Sequence, residues 1–178
     1  GALEAREVSY PPYVQQALAE LHKQLPEADA RVLCDQVEVT DPEWQSAIEG
    51  YLGGARFGLI VDPDYEADAI RLVRSLSGVG QKARVIQGHK ARRDNEKLGA
   101  LPQGSVVEVM QFNHDTAEQY LKASYGSVQR VPDADTLRNT RRGVTRDCLG
   151  SGNYSLFRCD IADSDLVFGQ SARERALA

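Results

Sequence analysis

No apolar run in this chain approaches the roughly 20 residues that span a bilayer, and no charged-then-apolar leader opens it. Membrane insertion is therefore not expected. Cysteine is scarce: Cys34, Cys148 and Cys159 form an odd set with neither CxxC nor Cys/His ligand spacing. That argues against a disulfide framework or zinc site and for a reducing cytoplasm, with the thiols as small buried apolar groups. A phosphate-binding loop is missing as well. The nearest fragment, Ser77-Gly78-Val79-Gly80-Gln81-Lys82, lacks the required spacing and lies between a helix and a strand, the reverse of the order that aims amides at phosphate. It reads as a helix end and a turn. The three histidines, His22, His89 and His114, have no nucleophile elbow and no His-x-x-x-His partner. No catalytic residue, metal ligand or cofactor is assigned. The net charge of −5 excludes general attraction to nucleic acid, so any such contact must come from a local patch.

What is present is the profile of one globular domain or two small subdomains: 178 residues, 42% hydrophobic and 26% charged. Residues 10–25 place Val14, Ala17, Leu18, Leu21 and Leu25 at helical spacing behind Pro11-Pro12. Residues 31–39 read as a strand. Thr40 with Glu43 makes a capping box for a helix carrying Trp44, Ala47, Ile48, Tyr51 and Leu52, ended by Gly53-Gly54. A buried strand over 56–61 and a turn at Asp62-Pro63-Asp64 lead to a helix striped by Ala69, Leu72, Val73 and Leu76. A third strand is expected over 83–87, followed by a polar stretch over 88–104. That stretch reads as a loop with room for a short helix, and marks a subdomain boundary.

The pattern then restarts, with a strand over 106–109, a helix over 114–122 and a strand over 127–131 ended by Pro132-Asp133. Val37-Glu38-Val39 recurs as Val107-Glu108-Val109, and at the same offset Ala47 matches Ala117 and Val61 matches Val131. The echo fits a strand–helix–strand duplication, and equally a chance likeness of two ordinary α/β units. Strands over 144–148 and 153–159 flank Leu149-Gly150-Ser151-Gly152. From Asp160 the chain turns polar. Residues 164–178 read as helix with Ala172, Ala176 and Leu177, too few apolar residues to complete a core. Like residues 1–8, they read as cut from something longer.

Three constellations could carry function. Asp35, Glu38, Asp62 and Asp64 lie near expected strand ends, where carboxylates can hold Mg²⁺ for phosphodiester chemistry; several are equally explained as capping or turn residues. Lys82, Arg84, Lys90, Arg92, Arg93 and Lys97 form one basic stretch, and Arg138, Arg141, Arg142 and Arg146 another. They suit solvated surface or a modest phosphate-contacting patch. Gly53-Gly54 and Gly150-x-Gly152 flank strands, either as ordinary turns or where another backbone comes close.

The order of motifs also carries a resemblance. The run Cys34-Asp-Gln-Val-Glu-Val-Thr-Asp-Pro-Glu-Trp-Gln-Ser-Ala-Ile-Glu-Gly-Tyr-Leu-Gly-Gly54, followed by the apolar strand 57–61, resembles the start of an SMC hinge. There a strand of the type L-I-E-V leads to A-I-E-x-x-L-G-G. Val131-Pro132-Asp133 through Thr145, then Gly150-Ser151-Gly152, looks like the family's closing strand and glycine segment, without the fuller glycine repeat of many hinges. The likeness is greatest to the MukB/MksB-type condensins and covers about residues 31–160. It implies an α/β, SMC-hinge-like fold of two small mixed α/β subdomains with flanking arm helices. Residues 1–30 would be the N-terminal arm and leading helix, 31–160 the hinge core (31–88 and 104–160 its subdomains), and 161–178 the start of a coiled-coil arm.

Functionally, the resemblance implies a dimerisation hinge of a chromosome-organising ATPase whose head lies elsewhere, so the chain itself is expected not to be an enzyme. Its partners would be a second copy, DNA bound weakly and without sequence preference, and kleisin-type subunits, in a cytoplasmic, nucleoid-associated complex. The expected interface is Gly53, Gly54, Gly150, Gly152 and Tyr154. DNA contacts would come from Lys82, Arg84, Lys90, Arg92, Arg93, Arg141 and Arg142. The alternative is a stand-alone Mg-dependent phosphodiesterase-like enzyme using the strand-end carboxylates.

Overall fold

A computed structural model describes residues 10–169. Helix α1 (Pro12–Gln24) begins on proline, whose missing N–H costs nothing in a first turn, and buries Val14, Ala17 and Leu21 completely. Gln16 staples it to the turn after Ser77. Its amide donates to the Ser77 carbonyl (2.8 Å), and its carbonyl oxygen accepts from Gly80 N–H (2.8 Å).

The strand expected over 31–39 is broken. Strands β1 (Arg31–Val32) and β2 (Val37–Val39) are separated by a 3₁₀ turn, Leu33–Gln36. The reason is burial: Leu33 and Cys34 are adjacent and both fully buried, whereas a pleated strand sends neighbours to opposite faces. Helix α2 (Pro42–Leu52) follows, capped by Asp41 rather than Thr40; Glu43 N–H donates to Asp41 Oδ1 (3.1 Å). It ends at Gly53, whose φ of 55° favours glycine. The strand expected over 56–61 starts inside a 3₁₀ turn, Gly53–Phe57, and β3 is only Leu59–Ile60, antiparallel to β1. Asp62 caps the turn into α3 (Glu66–Ser75) by accepting from Asp64 N–H (3.0 Å).

The strand expected over 83–87 shrinks to a single parallel bridge, Val85 to Leu59. The polar stretch expected to be mainly loop holds an eleven-residue helix, α4 (Gly88–Leu98). Its cap comes from far away in sequence: Glu66 Oε1 accepts from Gly88 N–H (2.7 Å) and His89 N–H (3.2 Å). Residues 106–109 form a 3₁₀ turn, not a strand, and β4 is Met110–Phe112. Then come α5 (Asp115–Tyr125), β5 (Gln129–Arg130), a short α6 (Ala134–Arg138) capped by Asp133, β6 (Gly143–Val144), β7 (Leu149–Gly152) and β8 (Ser155–Arg158). The glycine segment expected as a connection is thus itself a strand. The strand expected over 144–148 is mostly a tight turn, with Cys148 at φ 68°.

The duplication is structural, at a different offset from the one expected. The 3₁₀ turn Leu33–Gln36, strand β2 and helix α2 match Val106–Val109, β4 and α5 element for element, displaced throughout by 73 residues (Leu33 to Val106, Leu52 to Tyr125). The counterpart of Ala47 is therefore Tyr120, and Ala117 answers to Trp44. The link after the helix is three residues shorter in the second copy, so β3 and β5 stand 70 apart (Leu59 to Gln129). The Val61–Val131 match holds for that reason. The copies meet through β2 and β4, antiparallel with Glu38 opposite Gln111. Thr40 N–H donates to the Val109 carbonyl (2.7 Å) and Asn113 N–H to the Gln36 carbonyl (2.9 Å), the same bond made in both directions about a local two-fold.

One apolar cluster runs through both repeats, including Ile48, Leu59 and Val73 of the first and Val106, Leu121 and Val144 of the second. The last described segment joins it. Leu166 and Val167 are buried and Phe168 fully so; the stretch beyond Asp160, expected to hold too few apolar residues to complete a core, thus contributes to this one. Ala172, Ala176, Leu177 and residues 1–8 lie outside the described residues. Gly50 on α2 allows the closest approach: a Cβ there would fall 1.8 Å from the Cys159 carbonyl oxygen, so α2 and the chain leaving β8 touch backbone to backbone.

Candidate association edge and basic cleft

The four-stranded sheet has the order β5-β6-β7-β8, with β8 outermost. The β7–β8 hairpin turns on Asn153 (φ 50°) and Tyr154 (φ 61°), two successive left-handed residues as in the tight turn that suits hairpin twist. Tyr154 stands fully exposed at the tip, and Leu156 (46%) and Phe157 (36%) are large exposed apolar residues on the strand behind it. Cys159 N–H donates to the Cys148 carbonyl (2.8 Å), which sets the alternation of the ladder. Ser155 and Phe157 turn their backbone groups to β7, while Leu156 and Arg158 turn theirs outward. The outer edge therefore offers amides unpaired among the described residues, together with apolar side chains.

Gly150 and Gly152 lie on β7, one strand inside that edge. A Cβ at Gly150 would come within 2.6 Å of the Phe157 ring and 3.1 Å of Tyr51, and one at Gly152 within 3.0 Å of the Tyr51 hydroxyl. They make room for rings of their own chain. Tyr51 Oη donates to the Ser151 carbonyl (2.8 Å), and its ring lies 5.5 Å from Phe157. A hollow beside the hairpin is lined by Tyr51, Arg141, Arg142, Gly152, Tyr154 and Phe157. Gly53 and Gly54 lie elsewhere, on the 3₁₀ turn after α2, with open space where a Cβ would be.

The seven basic residues of the expected DNA-binding set divide. Lys82, Arg84 and Lys90 line a cleft of about 830 Å³ with Tyr13, Tyr120 and Tyr125. Burial pushes the Tyr125 hydroxyl up to about 12 and raises Tyr120 as well, so both remain hydrogen-bond donors at neutral pH. Arg92 instead pairs with Asp115 across α4 and α5, and Arg93 is exposed on α4. Arg142 donates to the Ser124 carbonyl (2.9 Å) and Ser127 Oγ (2.8 Å) and lies over the Tyr125 ring at 5.6 Å. Arg141 and Arg142 border the hairpin hollow rather than the cleft.

The strand-end carboxylates are not gathered into one site. Asp35 accepts from Tyr10 Oη, Asp62 caps a turn, and among the described residues no three His, Cys, Asp or Glu side chains are placed to hold a metal ion. All three cysteines are buried, and burial raises Cys34 strongly and Cys159 to about 11, as expected of small core residues. No helix among the described residues is long and apolar enough to cross a membrane.

Two features escaped sequence reasoning. Glu49, fully buried, accepts from Arg56 Nη1 (2.9 Å), Gln45 Nε2 (2.9 Å), Val167 N–H (2.8 Å) and Phe168 N–H (3.3 Å). Helical periodicity does not distinguish Glu49 from a solvated helix residue; its place as the Glu of the A-I-E-x-x-L-G-G run was the signal available. The second is the apolar edge itself. Leu156-Phe157, two large apolar residues in an otherwise polar hairpin, was a signal available to find it.

No protein-family model and no curated protein match the chain. Solved structures do, and they define a class: hinge domains of SMC proteins. The Pyrococcus furiosus Smc hinge with an extended coiled coil matches at 18% identity and TM-score 0.61, covering 92% of this chain and 60% of that one. An asymmetric dimer of the Geobacillus stearothermophilus SMC hinge matches at 19% identity and TM-score 0.64, covering 95% and 71%. The S. pombe Smc5/6 hinge matches at 14% and 0.57, covering 88% and 69%. The chain has the mixed α/β fold of the SMC hinge, and spans 60% of the length of the first of these structures.

Proposed function

We propose that this chain is the dimerisation hinge of an SMC-like condensin ATPase of the MukB/MksB type, acting in chromosome organisation and segregation. The observation that carries the reading is the β8 edge, held on a hinge fold. An exposed edge strand with Leu156 and Phe157 beside it invites strand pairing, and natural proteins cover such edges or blunt them with charge. A second copy would extend the sheet from Leu156 and Arg158, with Tyr154 and Phe157 filling the contact. Gly150 and Gly152 contribute by letting Tyr51 and Phe157 lie flat behind the edge. A stable pair needs an interface of about 1,600 Å². In the whole protein the ATPase head and kleisin-type subunits would lie outside this chain, which would be nucleoid-associated in the cytoplasm and turn over no ATP by itself. Weak, sequence-independent DNA contact would use the exposed Arg93 together with Arg141 and Arg142, with affinity falling steeply as salt is added.

Sedimentation of wild type and Leu156→Lys, with circular dichroism on both, tests the reading. Wild type is expected to sediment as a dimer, and the variant as a folded monomer. A wild-type monomer at high concentration overturns dimerisation; a fully dimeric variant moves the interface away from β8.

A further inference from the structure

The cleft holding Lys82, Arg84 and Lys90 has a composition that neither the core nor the association edge requires. The chain carries an excess of acid, yet three cations face one cleft whose lining, among the described residues, includes a single carboxylate, Asp94. Among the described residues none of the three cations makes an ion pair, whereas Arg92, on the same helix as Lys90, pairs with Asp115. The lining is also aromatic. Tyr120 and Tyr125 meet edge to face at 6.4 Å, both half-buried, and Tyr13 of α1 lines the same cleft. Gln87 and Ser124 add neutral polar groups able to read a heteroaromatic edge.

Size decides between ligands. At about 830 Å³ the cleft falls in the range of small-molecule sites, about 300–1,000 Å³. Lys82, Arg84 and Lys90 are exposed at the cleft. A duplex, with its phosphates on a convex surface, reaches them but leaves the tyrosines unused, whereas a free phosphorylated aromatic uses both. Its phosphates would take the ammonium and guanidinium donors through charge-assisted bonds, and its ring would lie against the tyrosines. We propose that this cleft binds a nucleoside polyphosphate, with Lys82, Arg84 and Lys90 holding the phosphates and Tyr120 and Tyr125 the base. No residue of β8 lines the cleft, although Tyr125 meets Tyr51 (6.3 Å), which packs on Phe157 (5.5 Å).

Calorimetry of the 178-residue chain with ATP, adenosine, inorganic tripolyphosphate, a short single-stranded oligonucleotide and a duplex tests this. ATP is expected to bind saturably at one site per chain, and each fragment at least tenfold more weakly. Lys82→Gln and Arg84→Gln, both at exposed positions, should each weaken ATP by about tenfold, the scale of one charge-assisted hydrogen bond. Arg74→Gln, exposed on α3 and outside the cleft, should leave it unchanged, and dichroism should be unaltered throughout. Absence of saturable ATP binding overturns the proposal, as does ATP binding that survives Lys82→Gln and Arg84→Gln. Tripolyphosphate binding as tightly as ATP would remove the role of the aromatic walls. An oligonucleotide that outcompetes ATP at the same residues would make the ligand a strand instead. Loss of dimerisation in sedimentation bears only on the association edge.

Discussion

Replacing Glu49 by alanine should be among the most damaging single changes in this chain. The carboxylate is wholly buried and serves four donors, two of them the backbone amides of Val167 and Phe168, where the last described segment enters the core. Arg56, its ion-pair partner, has a side chain only 10% exposed; it also donates to the Asp165 and Gly53 carbonyls (3.0 and 2.8 Å). Alanine would leave a nearly buried guanidinium without its counter-charge and two amides without an acceptor. Breaking a buried pair from one side costs about 3–5 kcal/mol, a large share of a typical total of about 5–15 kcal/mol. In urea, with a slope of about 2 kcal/mol per molar, the midpoint should fall by roughly 1.5–2.5 M. Arg56→Met should also destabilise. The double variant should lose at least about 1 kcal/mol less than the sum of the two, because no charge is then stranded. Urea melts followed by dichroism measure all three. A Glu49→Ala loss below about 1 kcal/mol, or strict additivity in the cycle, would refute the reasoning.

Two further outcomes follow from capping geometry. His114 caps α5 through Nδ1, which accepts from Thr116 N–H (3.0 Å), and burial together with Arg31 lowers its pKa from 6.5, against smaller opposing effects of Asp29 and Asp62. The unfolded chain therefore takes up the proton first. This contribution to stability is complete above about pH 6.5 and is lost as pH falls from there through the folded pKa. His114→Asn keeps a capping acceptor without titrating, so melts between pH 7 and 5 should show a shallower decline than wild type; equal slopes would exclude the mechanism. Glu66→Ala removes the remote cap of α4 and should cost about 1 kcal/mol, with faster amide exchange across Gly88–Leu98. Glu66→Gln should retain most of the protection, and unchanged exchange in the alanine variant would show that α4 does not need the cap.

The sequence by itself determined α1, α2, α3 and α5, because each carries its apolar stripe and a local start signal. Val14, Ala17 and Leu21 behind two prolines, or Trp44, Ala47 and Ile48 behind Asp41-Pro42, are statements a helix makes about itself. The motif order around Cys34–Gly54 pointed as well to the hinge fold that the solved structures match. What it could not determine were features whose cause lies elsewhere in the chain. Helix α4 has little apolar face and no cap of its own; it exists because Glu66 accepts its first amides and Asn95 donates to the Gln119 carbonyl on α5 (2.8 Å). The short strands and 3₁₀ turns were merged or shifted, since adjacent buried residues such as Leu33 and Cys34 need a turn that only the surrounding core reveals. The repeat was visible but misaligned by three residues, because a shortened link is silent in a pattern of valines. The gathering of Lys82, Arg84 and Lys90 with Tyr13, Tyr120 and Tyr125, and of Glu49 with Val167 and Phe168 more than a hundred residues away, was decided only by the tertiary structure. Contacts between distant positions leave no periodicity to read, and their energy exists only once the core has brought them together.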